Sequence, residues 1–171
     1  MSNVFTERFL ARIKGSKFED LILKYPELYG DPDPEGGCKY AVQRYGIQTP
    51  IGWKKVIEDF SQELSTYIKE NPVKDFCVHQ VKSKFGSLCI YLSYYDDAIR
   101  SMIDKAEDKA SNHCPDCGST RRFKENLGGG YWCYACVDCA EEEDGKTLWT
   151  IAPDRDRSEI RPMGEALRES K

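Results

Sequence analysis

Two Cys-x2-Cys pairs, Cys114 with Cys117 and Cys136 with Cys139, constrain this chain more than any other feature in it. Thiolates two residues apart can both reach one tetrahedral metal, and two such knuckles joined by a hairpin close a four-sulfur site. The spacing predicts structural zinc and a small metal-nucleated module. It also limits the chemistry, because a site filled by four protein sulfurs keeps no open position for a substrate.

The second knuckle offers a third thiol, Cys133, so the pair could be Cys133/Cys136 or Cys136/Cys139. Cys136/Cys139 is the favoured pair. Tyr131 to Cys136 reads as a short strand leading in, and Cys139 is followed by Ala140 and three glutamates, the acidic start of a helix. Cys133 is then a small buried hydrophobe on the strand. In the first knuckle Pro115 stiffens the turn, and Gly118 permits the positive φ that lets backbone amides face the sulfurs.

The remaining cysteines, Cys38, Cys77, Cys89 and Cys133, are scattered and suit reduced thiols in a cytoplasmic setting. Apolar residues make up 40% of the 171 and charged ones 32%, an ordinary globular composition that one domain or a core plus a small module would satisfy. No apolar run reaches the roughly 18 residues of a membrane span, and the first fifteen residues lack a signal-peptide core. The net charge of −4 argues against a dominant phosphate-binding surface. Residues 141–171 hold nine acidic and six basic side chains, so the body before them is nearly neutral.

Periodicity organises the rest. Phe5, Phe9, Leu10 and Ile13 predict one short helix, and Phe18 to Lys24 a second that stops before Pro26. Gly30 to Gly37 is rich in turn residues and predicts a surface loop. Thr49-Pro50 is expected to cap a longer helix whose stripe is Trp53, Val56, Ile57, Phe60, Leu64 and Ile68, ending before Pro72. A hairpin follows, with strands Phe76–Lys82 and Leu88–Tyr94 turning at Gly86; Leu88, Ile90, Leu92 and Tyr94 share a face. A helix from about Asp96 to Asn112 delivers the chain to Cys114. The fold class is α+β: helices, a central hairpin or small antiparallel sheet, and a C-terminal zinc-ribbon or treble-clef-like module. The expected divisions are a body over 1–112, a zinc module over 113–150 packed on it, and an arm over 151–171.

The segments YPELY near Tyr25, YGIQTPIGWKKVIEDF from Tyr45, and HQVKSKFGSLCIYLSYY from His79, followed by both knuckles, resemble a family of small bacterial and phage or prophage proteins. The resemblance covers about Tyr25 to Ala140, and its most specific piece is Val81 to Leu88. It implies Cys136 and Cys139 as the final ligand pair. The chain departs from the family at Thr49-Pro50, where relatives have Cys-Gly or Gly-Asp, and in its long tail. The resemblance implies no activity.

The candidate binding surface comprises Lys82, Lys84 and Phe85 at the hairpin tip, Arg121 and Arg122 on the zinc hairpin, and Trp149 beyond it. Lysines beside an aromatic ring suit phosphates and stacked bases; the plainer role is a solvated turn that protects a sheet edge. Trp53 and Trp132 read as core anchors. His113 reads as solvated or outside the ligand shell, His79 has no motif partner for catalysis, and Gly128 to Gly130 form a hairpin tip rather than a phosphate cradle. No acid, base and nucleophile converge, so the chain reads as a non-enzymatic interaction protein. The preferred partner is a host protein, bound by a phage or prophage accessory factor that inhibits it, for example in a defence system. The alternative is a nucleic-acid-binding zinc ribbon.

Overall fold

The computed structural model describes residues 3–33, 40–120, 123–126, 134–136, 138–140 and 149–151. Its fold is α+β, as the periodicities require. Helix α1 (Glu7–Ile13) opens at Thr6, whose hydroxyl accepts from the Phe9 amide at 3.2 Å, and buries Phe9 and Ile13. Helix α2 (Glu19–Lys24) stops at Tyr25 because the residue before Pro26 disfavours the helical region. A four-residue helix, α3 (Pro26–Tyr29), restarts at once with proline in its first position and buries Leu28 and Tyr29. Helix α4 (Ala41–Tyr45) is equally short. Of the expected Gly30–Gly37 loop, residues 34–37 lie outside the described residues.

The long helix α5 (Lys54–Glu70) carries the predicted stripe, and Trp53, Val56, Ile57, Phe60, Leu64 and Ile68 are all buried. Its start corrects the expectation. A 3-10 turn, Ile51–Trp53, precedes it, and Thr49 does not cap the helix; its hydroxyl is buried without a partner. The cause is tertiary. The Gln48 amide donates to the Val81 carbonyl and the Ser83 amide to the Gln48 carbonyl, which holds the chain extended beside the hairpin until Pro50.

The hairpin pairs β1 (Val78–Lys84) with β2 (Ser87–Leu92), antiparallel, from Lys84↔Ser87 to Val78↔Leu92. The first strand therefore starts and ends two residues later than its sequence suggests, and the turn is Phe85-Gly86, both at positive φ. Leu88, Ile90 and Leu92 face the core, but β2 ends there, so Tyr94 is exposed rather than aligned with them. Helix α6 (Asp97–Ser111) is capped by Asp96, whose carboxylate accepts from the Ile99 amide and from the Tyr67 hydroxyl on α5, each at 2.8 Å. Ile99, Ile103, Ala106 and Ala110 close the core between α5 and the hairpin. A separate three-stranded antiparallel sheet has β3 (Phe123–Asn126) between β4 (Tyr134–Cys136) and β5 (Trp149–Ile151). Among the described residues no helix is long and apolar enough to cross a membrane.

Candidate metal centre

Helix α6 ends at Asn112 and the chain turns directly into Cys114. The Gly118 amide donates back to the Cys114 carbonyl and the Cys114 amide to the Ser119 carbonyl, each at 2.8 Å, so the first knuckle is a closed turn. Gly118 stands at φ 74°, as the turn requires. Strand β4 supplies Cys136 at its end, and the Cys139 and Ala140 amides donate to the Cys136 carbonyl at 3.0 and 2.9 Å, which forms the second knuckle. The Cys136 amide in turn donates to the Cys114 sulfur at 3.3 Å. One knuckle thus hydrogen-bonds to the sulfur of the other.

The sulfurs of Cys114, Cys117, Cys136 and Cys139 all lie within 4.8 Å of one another. Cys117 and Cys136 are 3.6 Å apart, well beyond the roughly 2.05 Å of a disulfide. Four sulfurs at about 2.3 Å from a tetrahedral metal would stand about 3.8 Å apart, so the arrangement fits a metal ion. The Cys117 sulfur, then that of Cys136, push the Cys139 thiol strongly upward. Four thiolates can share so small a volume only around a cation. Cys114 and Cys136 are buried, Cys139 is half-buried and Cys117 is exposed, which leaves a route for metal entry.

The first knuckle is fastened to the body at Gly52. The Gly52 amide donates to the Pro115 carbonyl at 2.8 Å, and the Trp53 indole donates to the His113 carbonyl at 3.1 Å. A Cβ at Gly52 would fall inside 3.0 Å of the Cys114 and Pro115 carbonyl oxygens and the Gly118 nitrogen. Trp53 is fully buried, the core anchor its sequence pattern predicts, whereas the role of Gly52 as the knuckle's seat is not predicted by that pattern. Only the adjacency of Gly52 to Trp53 hinted at it.

The other candidates are distributed as follows. Lys82, Lys84 and Phe85 lie together on the hairpin, with the Lys82 ammonium 5.4 Å from the Tyr91 ring centre and that of Lys84 5.6 Å from the Phe85 ring centre. Arg121, Arg122, Trp132, Cys133 and Gly128 to Gly130 lie outside the described residues. Trp149 begins β5 opposite Asn126, and its side chain is outside the described set. His113 is not in the sulfur cluster; its Nδ1 is 2.6 Å from the Lys109 carbonyl oxygen. His79 stacks on Tyr40 with ring centres 3.9 Å apart, its Nε2 is buried without a partner, and burial lowers its pKa. Nearby, burial pushes the Cys77 thiol up to about 11, the opposite of an activated nucleophile.

No protein-family model, curated protein or solved structure matches this chain.

Proposed function

We propose that Cys114, Cys117, Cys136 and Cys139 hold one zinc ion as a structural centre, and that the protein acts by binding a partner rather than by catalysis. The observation that carries this reading is the gathering of four sulfurs within 4.8 Å, a donor set that fills a tetrahedral ion and leaves no position for substrate. Soft thiolate donors in this number favour zinc, and zinc would lower the thiol pKa values and weld the knuckles together. The partner we infer is a host protein, occupied and inhibited by a phage or prophage accessory factor. The resemblance over Tyr25 to Ala140 supports that origin, and an acidic balance of −4 suits a protein partner better than a general polyanion.

Metal analysis of freshly reduced protein should find one zinc per chain. Affinity purification from host cells should then recover one stoichiometric protein, with or without nuclease. Recovery of nucleic acid alone, lost on nuclease treatment, would replace the protein partner with the alternative reading.

A further inference from the structure

The hairpin tip is built against its own backbone preference. Phe85 and Gly86 are the two central residues of a tight turn, at φ 50° and 75°. Such a turn favours Asn-Gly, because asparagine and glycine tolerate the left-handed region that a bulky side chain resists. Phenylalanine here is strained, and it is 68% exposed, so no core contact compensates the strain. Strain retained at an exposed tip is a mark of a binding residue.

The hairpin around it presents cations and rings. Residues 76–95 contain two lysines and a histidine and no carboxylate, within a chain of net charge −4. Gln80 pairs with Tyr91 and Lys82 with Cys89 across the strands, which puts them on the face opposite the buried Val81, Ile90 and Leu88. The Gln80 amide bonds that of Gln48 at 3.2 Å, extending the face across the neighbouring segment. Tyr91 is 40% exposed and lies beneath the Lys82 ammonium, as Phe85 lies beneath that of Lys84. Glu107 of α6 acts on Cys89 and Tyr91 at the edge.

We propose that this face, made by Gln48, Gln80, Lys82, Lys84, Phe85 and Tyr91, binds single-stranded nucleic acid. Lys82 and Lys84, which lie over the Tyr91 and Phe85 rings, are flexible enough to swing onto the phosphates of a bound strand and bare the ring faces to its unpaired bases, and the glutamine amides offer hydrogen bonds to base edges. A protein partner with an apolar pocket would have to strip water from both ammonium groups to reach the rings; a phosphate chain neutralises them. The proposal does not rest on the metal centre or on a protein partner, since no residue of this face belongs to the sulfur cluster.

Zinc-loaded full-length protein should be titrated into fluorescein-labelled 20-nucleotide oligothymidine, oligouridine, the corresponding duplexes, and a polyglutamate peptide, with anisotropy as the readout. Single strands should bind more tightly than duplexes. Replacing both Lys82 and Lys84 by alanine should reduce the slope of log K against log salt by about 1.4. Phe85→Asn is the deciding variant, because the turn prefers asparagine: the melting midpoint should rise by about 2–4 °C while single-strand affinity falls about tenfold. Unchanged affinity in Phe85→Asn, equal affinity for duplex, or no single-strand binding would each overturn the proposal. Binding of polyglutamate in preference to the oligonucleotides would do so in favour of an acidic protein partner.

Discussion

Gly118 and Phe85 occupy the same left-handed region of backbone space, at φ 74° and 50°, in opposite chemical circumstances. At Gly118 the backbone is crowded: a Cβ would approach the Gly52 carbonyl oxygen to 2.7 Å, and glycine is the residue that fits. At Phe85 nothing comparable confines the side chain, asparagine would be at ease, and phenylalanine stands in solvent. The metal knuckle follows the rules of stable local structure, whereas the hairpin tip departs from one. Departures of this kind belong to function more often than to folding.

The sharpest way to break this contrast is at the sulfurs. Cys136→Ser removes the ligand at the centre of both candidate pairs and should abolish metal binding. Structural zinc contributes on the order of 10 kcal/mol or more, comparable to the stability of a whole domain, so the knuckles should unfold. Cys117→Ser should do the same, and Cys133→Ser should keep the metal. A Cys133→Ser protein without metal beside a metal-replete Cys139→Ser protein would transfer the fourth position to Cys133. The hairpin tip, by contrast, should tolerate Phe85→Asn with a gain of about 1 kcal/mol, the left-handed strain released.

A smaller effect is expected at Gly52, where the contrast can be sharpened without touching a ligand. Gly52→Ala puts a methyl against the Cys114 and Pro115 carbonyls and the Gly118 amide, all of them backbone that cannot swing aside. Overpacking of this kind costs about 1–3 kcal/mol, and here it should also weaken zinc retention in a chelator competition. If Gly52→Ala melts lower but holds zinc as tightly as the parent, knuckle and body are packed together without being energetically coupled.

How far the sequence could be read follows from where each signal resides. The stripes of α5 and α6 and the two Cys-x2-Cys spacings are periodic along the chain, and the buried faces and sulfur cluster agree with them. Helices α3 and α4 have four and five residues, too few to display a 3.6-residue period. The bounds of β1 lie two residues beyond those its pattern suggests because a Phe-Gly pair does not announce a two-residue turn as Asn-Gly does. Thr49-Pro50 is a cap signal on local grounds, but the preceding Gln48 is bonded to the edge of β1, a contact absent from any local pattern. The Gly52 seat is tertiary in the same way, joining residues about sixty apart along the chain.

The mildest test uses pH and acts on α6, the element that connects the hairpin to the knuckle. Asp96 caps that helix; the Ile99 amide first, and then the Tyr67 hydroxyl, hold its carboxyl below the usual aspartate range. Burial holds His79 below the usual histidine range. Both groups therefore bind protons more readily in the unfolded chain, so stability falls as pH falls. The loss linked to His79 should begin below about pH 6.5, and the loss linked to Asp96 below about pH 4, each completed as pH passes the lowered folded value. Thermal melts between pH 8 and 3, read as differences between parent and variant so that zinc release by thiol protonation is common to both, should show both stages. Asp96→Asn keeps a good cap and loses the titrating group, so its melting midpoint at neutral pH should drop by less than that of Asp96→Ala, which forfeits about 1 kcal/mol of capping. The acid stage should shrink in Asp96→Asn, with the remainder carried by Glu27 and Asp20, whose carboxyls are also held below their usual range, while the His79 stage stays. If Asp96→Asn retains the full acid stage, the loss below about pH 4 originates elsewhere, and the Asp96 cap that anchors α6 does not set it.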